Sequence, residues 1–325
     1  MALRTFLRKR GVTLGVALAV LGAAAVLQFT GVNPAVSQTL FLTAYQADDD
    51  PGDPNAGVWK DTRAVQVPLS AQLGSYAAGG GSIATVSAQA VHYNDRLYLR
   101  VQWADSTTDD STTRVEDFSD AVALEFPARS ASSVPSICMG QADAGVNIWH
   151  WRADSEKGLS DPGNVYVGAQ IDVDVKKDRL FYTARDAGNP FANPKLGSVQ
   201  TLVAHAFGTL STANVQDVAG KGVRVGDGWA VVFSRNYAGG DFDQAAFAPE
   251  TKTDMAIAVW NGSEDDRNGR KSISQFMTLK ISATATSAGG GNNTLVFALA
   301  AASLIGLAAL GVGLAAHGMK ETGGR

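Results

Sequence analysis

Residues 137–154, ICMGQADAGVNIWHWRAD, concentrate side chains that can ligate a metal or line a cofactor pocket. Trp149, His150 and Trp151 stand together in a chain with six tryptophans and four histidines, and Met139 lies ten residues before the first of them. Methionine sulfur and imidazole nitrogen both serve as metal ligands. In an extended backbone, tryptophans that face a core direct His150 to the opposite side. The stretch therefore predicts a site, with Met139 and His150 as alternative ligands.

The chain has a single cysteine, Cys138, which excludes an intrachain disulfide, a thiolate zinc cluster and the C-x-x-C-H attachment signature of covalent haem. A lone cysteine is more often a small buried apolar residue than a ligand. The four histidines are scattered, and the sequence has no nucleophile elbow, P-loop, dinucleotide fingerprint or zinc-protease motif. We therefore expect no catalytic site within this chain, and any haem must be held non-covalently.

Composition sets the class of the protein. The chain has 325 residues, of which 45% are hydrophobic, enough for a substantial core. Its net charge is -4 and its lysines and arginines form no block, whereas binding to nucleic acid needs clustered cations that neutralise phosphates. The composition predicts a globular protein that does not bind nucleic acid.

Two apolar segments bracket the chain. Residues 1–37 place basic side chains before an apolar run and read as a signal peptide or signal anchor. Residues 294–316 are 23 residues without a charge, long enough for a transmembrane helix. A flexible Gly-rich linker, 286–293, precedes that segment, and a short cytoplasmic tail, 317–325, follows it. By the positive-inside rule, the domain at 38–285 lies on the extracytoplasmic side of the cell membrane.

The domain shows strand patterns rather than amphipathic helices. RLYLRVQW alternates apolar and polar side chains, and the preceding ATVSAQAV is its expected hairpin partner. The same alternation recurs in DAVALEFP and in GWAVVFSR, and MAIAVWNG and SQFMTLKIS form a terminal pair separated by the polar loop SEDDRNGRK. Strands separated by Gly, Asn and Asp turns predict a mainly β protein, an antiparallel β-sandwich.

Eight segments, in order, resemble one family. They are VWKDTRAVQVPL, LYLRVQWAD, AVALEFP, MGQADAGVNIWHWRAD, TARDAGNPFANP, AFGTLST, VQDVAGKGVRVGDGWAVVFSR and AVWNGSEDDRNGRKSISQFMTLKI. Together they resemble the haem-binding gamma subunit of ethylbenzene dehydrogenase and its relatives in dimethylsulfide dehydrogenase, chlorate reductase, selenate reductase and nitrite oxidoreductase. The resemblance covers about residues 40–282.

This resemblance implies a β-sandwich that holds one non-covalent haem b in a wide apolar cavity between sheets, with a methionine and a lysine as axial ligands. The methionine falls on Met139, and the lysine falls most naturally on Lys221 in AGKG. Thioether sulfur is a soft, neutral ligand that favours ferrous iron. Lysine ligates iron only as the free amine, so such a ligand must lie in a pocket that water does not reach.

Other pocket residues follow from the same resemblance. Trp149, His150 and Trp151 are expected to form the wall beside the ring, and Arg185 and Asn189 are expected to hold haem propionates, with Arg152 as a further candidate.

The resemblance also implies an electron-transfer role and a set of partners. One possibility is a molybdenum-enzyme catalytic subunit with an iron–sulfur subunit, and the other is a quinol-oxidising membrane complex. The terminal apolar segments make the chain similar to the membrane-anchored mono-haem cytochromes of archaea in the same superfamily.

Two alternatives remain open at this stage. A haem-free extracellular module could bind carbohydrate by stacking a sugar ring on Trp59, Trp103 or Trp260. The chain could also be a structural subunit that has lost its haem.

Overall fold

The computed structural model describes residues 40–72, 79–112, 114–137, 139–160, 172–174, 179–181 and 197–285. The described residues from Phe41 onward belong to one compact unit. That part of the chain is mainly β, as its alternating apolar and polar patterns predict.

The elements lie in the following order along the described residues. The helices are α1 (Val58–Asp61) and α2 (Ala153–Ser160), and a 3-10 turn spans Gly262–Glu264. The strands are β1 (Phe41–Gln46), β2 (Val65–Pro68), β3 (Ser70–Ala71), β4 (Thr85–Tyr93), β5 (Arg96–Ala104), β6 (Ala121–Pro127), β7 (Val146–Arg152), β8 (Asp172–Asp174), β9 (Arg179–Phe181), β10 (Val199–Ala204), β11 (Ser211–Thr212), β12 (Ala219–Arg224), β13 (Gly228–Asn236), β14 (Lys252–Trp260), β15 (Ser272–Ile273) and β16 (Met277–Ala285).

Fourteen of these strands form one sheet whose main path is β11-β10-β7-β6-β14-β16-β1-β4-β5-β13-β12. Strand β14 joins two wings of this sheet. Its first half, Lys252–Met255, pairs with β16, and its second half, Ala256–Trp260, pairs with β6. We call the strands from β16 to β12 the first wing, and the strands from β6 to β11 with the second half of β14 the second wing. A strand that changes partners in this way turns the corner between two packed layers.

The expected antiparallel arrangement is only partly correct, because the sheet is mixed. Strand β1 runs parallel to both of its neighbours, β16 and β4. These strands lie far apart in the sequence, and no local turn chemistry links them. Strand patterns alone therefore could not reveal this pairing.

Large aromatic side chains fill the space between the two wings. Trp151 of β7 lies edge-on to Trp103 of β5 and to Trp229 of β13, with ring centroids 6.4 and 5.2 Å apart. The ring centroids of Trp149 and of Phe233, on β13, lie 6.5 Å apart. Burying each of these side chains contributes roughly 1.5–3 kcal/mol, so this interior is the main apolar core of the domain.

Several predicted strands are confirmed. The pair β4–β5 is the expected hairpin, and β14 pairs with β16 through Met255 and Met277. In β6, Val122, Leu124 and Phe126 are buried as the alternation requires. The alternate residues of β6 are also buried, which the pattern did not predict, so the outer face of this strand is covered too.

The two predicted membrane segments cannot be compared with the structure. Residues 1–37 and 294–316 lie outside the described residues, as does the linker between 285 and the second segment. Within the described ranges, neither helix is long and apolar enough to cross a membrane.

Candidate cofactor pocket

A cavity of about 410 Å³ opens on the outer face of the second wing. It lies over β6, β7, β10 and β14, and its volume is within the usual range for small-molecule and cofactor sites. The resemblance instead implied a cavity between the sheets. The side chains of Trp149 and Trp151 occupy that interior, so the open space lies on the opposite face of the same strands.

The floor of the cavity is built from small and aliphatic side chains. Ala123 of β6 lies opposite Ala258 of β14 on one side and opposite His150 of β7 on the other. Alanines at neighbouring positions leave a flat surface on the sheet, which suits a planar ligand. The buried floor residues are Ala121, Ala123, Ile148, Leu202, Ala256 and Ala258.

Met139 reaches this cavity from the connection between β6 and β7. It is partly buried and packs against the apolar floor. Its backbone adopts a φ of 77°, a conformation that non-glycine residues seldom take, and Gly140 follows with a φ of 74°. The Gly140 N–H donates to the carbonyl of Ser136 at 2.9 Å. Backbone strain of this kind often accompanies a functional position, and here it holds a thioether over the floor.

Lys271 lines the same cavity from the other end of the strands. It is 9% exposed, and its Nζ lies 5.0 Å from the ring centroid of Trp260. The backbone of Lys271 is fixed on two sides. Its carbonyl accepts the Gln72 N–H at 3.1 Å, and a Cβ at Gly80 would stand 2.4 Å from its nitrogen. The structure thus holds a lysine amine inside an apolar cavity.

Glu125 is the unexpected carboxyl group of the site. It lies on β6 among apolar residues, is 9% exposed, and its Oε1 has no hydrogen-bond partner among the described residues. Burial raises the pKa of Glu125 to about 8, and the positive charge of Lys271 opposes this shift. At neutral pH the Glu125 side chain is therefore mainly an uncharged carboxylic acid.

His150 faces the cavity, as expected from its position between two inward-facing tryptophans. Its ring stacks at a tilt against Trp260, with centroids 5.0 Å apart. Its Nε2 is buried and has no hydrogen-bond partner among the described residues. Burial, together with the nearby cations Arg152 and Lys271, lowers the pKa of His150 to about 3. His150 is therefore a neutral part of the cavity wall.

Two arginines stand where the cavity opens beyond the floor. Arg152 lines the cavity and forms an ion pair with the buried carboxylate of Asp154, which also accepts the Thr112 hydroxyl at 2.8 Å. Arg267 also lines the cavity, and its guanidinium stacks 4.6 Å above the ring of Phe118. Guanidinium groups at this rim are suited to bind the carboxylates of a ligand that enters the cavity.

Lys221, the lysine singled out from the sequence, lies elsewhere. It is on β12, in the first wing, and its Nζ forms an ion pair with Asp53 at 2.7 Å. Half of its side chain is exposed, and it is not among the residues that line the cavity. The flanking glycines have a packing role instead, since a Cβ at Gly222 would overlap Trp151. The structure therefore does not bring Met139 and Lys221 together.

The other expected pocket residues fall into two groups. Trp149 and Trp151 do not line the cavity, because both side chains point into the core between the wings. Arg185 and Asn189 lie outside the described residues.

Two pocket residues were missed from the sequence. Lys271 ends the polar loop SEDDRNGRK directly before β15, where it resembles any surface lysine. Glu125 gives a weak signal, as the one charged side chain within the apolar strand AVALEFP.

The positions of the tryptophans bear on the carbohydrate alternative. Trp59 is 4% exposed and donates to the carbonyl oxygens of Pro51 and Asp53, and Trp103 is buried in the core. Neither presents a free face to a sugar ring. Trp260 lies inside the cavity beside His150.

A respiratory nitrate reductase haem subunit proposed in Haloferax mediterranei is 30% identical over 259 residues, which cover 77% of this chain and 78% of that protein. The gamma subunit of chlorate reductase from Ideonella dechloratans is 29% identical over 263 residues, 80% of this chain and 90% of that subunit.

Among solved structures, a family 9 carbohydrate binding module from Caldicellulosiruptor kristjanssonii with cellotriose matches 77% of this chain and 96% of its own. It shares 10% sequence identity, with a TM-score of 0.40.

The family described as ethylbenzene dehydrogenase matches residues 56–272, about two thirds of the chain, and this range includes the whole cavity floor together with Met139 and Lys271. By this match, and by its similarity to the haem and gamma subunits above, the chain belongs to the ethylbenzene dehydrogenase family.

Proposed function

We propose that this protein is a b-type cytochrome, anchored in the cell membrane, that passes electrons between a molybdenum and iron–sulfur oxidoreductase and a respiratory-chain carrier. The observation that carries the proposal is the cavity over the second wing. It places a thioether and a buried amine, Met139 and Lys271, around a flat apolar floor.

The residues present fit a haem. Met139 and Lys271 come from loops at opposite ends of the strands and would hold a haem in the cavity between them. Alanines leave space for the ring, and Trp260 and His150 provide an aromatic wall. Arg152 and Arg267 are placed for the propionates. This assignment replaces Lys221 with Lys271 and keeps Met139.

Each group has a defined task in this proposal. When bound, the haem supplies one-electron chemistry at its iron. Met139 offers its sulfur as a soft ligand that favours the ferrous state. Lys271, a cation in the haem-free chain, would lose its proton when the iron binds, since an ammonium has no lone pair for the metal. The fixed backbone of Lys271 directs the amine into the cavity and so limits the conformational entropy lost on ligation.

Glu125 and His150 keep the wall uncharged at neutral pH. Burial raises the pKa of Glu125 to about 8 and lowers that of His150 to about 3, so both groups are mainly neutral near pH 7. An uncharged side chain avoids the cost of burying a charge without a partner, which is several kcal/mol.

The partners and the location follow from what the relatives are named. Two of them are a haem subunit and a gamma subunit of reductases that act on nitrate and chlorate, which supports a role as the electron-transfer subunit of a larger complex. The uncharged segment at 294–316 supports attachment to the membrane, with the haem domain on the extracytoplasmic side.

The ligand assignment is tested by comparing two lysines. We expect purified chain with Lys271→Ala or Met139→Ala to lose the low-spin spectrum, with a weaker α band after dithionite reduction, because each change removes a strong ligand. The Lys221→Ala chain is the matched control and should keep the parent spectrum, since its amine is bound to Asp53 outside the cavity. A normal spectrum for Lys271→Ala combined with an altered one for Lys221→Ala would reverse the assignment.

A further inference from the structure

Four of the seven large apolar side chains that are exposed among the described residues lie in three loops. Among the described residues, Phe242 is 69% exposed, Phe207 and Val134 are each 60% exposed, and Leu210 is 47% exposed. They lie in the connections β13–β14, β10–β11 and β6–β7. Exposing large apolar side chains to water is unfavourable. A cluster of them at loop tips therefore marks a surface that contacts another apolar phase.

Strand register places these three connections at one end of the domain, the end where β16 finishes at Ala285. Strand β1 ends opposite Ala285, and alternation through β4 and β5 places the end of β13 on the same side. Strand β14 begins there, β6 ends there, β7 begins there and β10 ends there. We call this side of the domain the Ala285 end.

Contacts between the loops tie them into one surface. His205, beside Phe207, lies 3.7 Å from the Asp243 carboxylate, next to Phe242. The Arg129 N–H, in the β6–β7 connection, donates to the Gln244 carbonyl at 3.0 Å.

The chain leaves this end toward the segment expected to span the membrane. Residues 286–293 separate Ala285 from the 23 uncharged residues at 294–316. Eight residues reach about 28 Å at most when fully extended, at roughly 3.5 Å per residue. If that segment crosses the bilayer, Ala285 must therefore lie within about 28 Å of the membrane surface.

We infer that the loops bearing Val134, Phe207, Leu210 and Phe242 insert their apolar tips into the lipid surface and fix the orientation of the domain on the bilayer. This inference rests on the membrane attachment in the proposed function and extends it to a second, independent contact. Phe207 and Leu210 also line the cavity, so docking brings the cavity rim to the lipid interface.

The charges around these loop tips indicate which kind of lipid surface the loops can contact. Asp143, Asp241, Asp243 and Glu250 lie in the same loops, against Arg129 in the β6–β7 connection and Lys252 at the start of β14. A surface with this acidic excess gains nothing from anionic headgroups, so apolar burial must supply the attraction. We expect the loops to contact neutral bilayers at least as well as anionic ones.

Photo-cross-linking from the bilayer tests the contact on the full chain. The protein is reconstituted in phosphatidylcholine carrying a diazirine in its acyl chain, with a parallel sample in phosphatidylcholine and phosphatidylglycerol, and cross-linked peptides are mapped by mass spectrometry. We expect lipid adducts on residues 128–145, 205–210 and 237–251, several-fold above those on the loop with Val115. Val115 is the matched control, because it is 94% exposed and lies at the opposite end of β6.

The outcomes separate the loop contact from the anchor. Adducts on 294–316 with none on the three loops would overturn the inference and leave the anchor standing. Adducts on the loops without any on 294–316 would support the inference and remove the anchor. A third outcome is that the loops give no lipid adducts but become protected from amide hydrogen exchange when an iron–sulfur partner is added. That result would make this a protein-binding surface and refute lipid docking. The double variant Val134→Asp with Phe242→Asp should lower loop adducts, whereas Val115→Asp should leave them unchanged.

Discussion

Glu125 occupies an environment that opposes ionisation of its carboxyl group. It projects from β6 into an apolar cavity, and burial raises its pKa to about 8 from the ordinary 4.5. An acid whose folded-state pKa is raised gives stability that is fully present below its unfolded pKa and is lost as the pH rises through the folded value. Glu125 is therefore expected to make the domain less stable in mildly alkaline solution.

We predict that the free energy of unfolding of the haem-free chain falls by about 1 kcal/mol between pH 6.5 and 8. The loss at Glu125 is partly offset by His150, which is neutral in the folded chain but about half protonated at pH 6.5 in the unfolded chain. Glu125→Gln should abolish most of this fall, because the amide resembles the protonated acid without ionising. Urea titrations at the two pH values measure the difference. The exposed Glu264→Gln variant is the control and should keep the parent slope. An equal slope in Glu125→Gln would show that the Glu125 carboxyl does not titrate in this range.

At this scale the sequence predicted one ligand candidate and missed the other. Met139 stood out by its neighbours, and His150 was correctly placed on the opposite side of the strand from Trp149. Lys221 and Lys271 cannot be distinguished locally, since each sits in a Gly-containing polar segment. Their tertiary contacts distinguish them. Asp53 pairs with Lys221 in solvent, whereas Trp260 and the segment around Gly80 enclose Lys271.

At the scale of elements, the connection that carries Met139 depends on a glycine. Gly140 has a positive φ, and a Cβ at that position would come within 2.8 Å of the Ala144 carbonyl and 3.2 Å of the Ala204 carbonyl. Both contacts are with backbone atoms, which cannot rotate away. The loop therefore has little freedom to place Met139 differently.

Gly140→Ala is expected to destabilise the domain by about 2–3 kcal/mol, through the left-handed backbone together with the backbone overlap. It should also weaken haem retention by displacing Met139. Gly226→Ala is the control, because Gly226 has a φ of 56° with open space around it, and it should cost only about 1 kcal/mol. Denaturant unfolding and haem-transfer rates measure the two effects. Similar losses in both variants would contradict a special constraint at the Met139 loop.

Most strands of this fold could be predicted, but their arrangement could not. Alternation in RLYLRVQW and DAVALEFP located β5 and β6, because half-buried strands repeat every two residues. Residues 252–260 form one strand that serves both wings, and this role depends on pairing with β6, more than one hundred residues away, as well as with the nearby β16. The position of the cavity on the outer face of the second wing follows from this change of partners along β14. No local sequence pattern predicts that position.

In the molecule as a whole, the proposed membrane attachment and the proposed haem binding depend on different parts of the chain. The cavity and both proposed ligands lie within 56–272, whereas the apolar segment begins at 294. Removing residues 294–325 should therefore leave the pocket intact.

We predict that a chain lacking residues 294–325 keeps its haem spectrum but is extracted from membranes by high salt or alkaline carbonate, whereas the full chain requires detergent. A transmembrane span is held by about 20 buried apolar residues, and loop tips alone cannot replace it. Fractionation of membranes followed by spectroscopy measures this. A full chain that washes off with carbonate would contradict the anchor, and loss of the spectrum on truncation would place part of the haem site beyond residue 293.

In the proposed function, the cavity beneath Met139 and Lys271 holds one haem b. The pyridine haemochrome spectrum of the purified full chain tests this most directly, because it identifies the haem type and gives its amount per chain. We predict a b-type spectrum with about one non-covalent haem per chain, extractable by acidified acetone because the single cysteine cannot form the C-x-x-C-H linkage. A chain purified from haem-sufficient cells without any Soret absorption would contradict it.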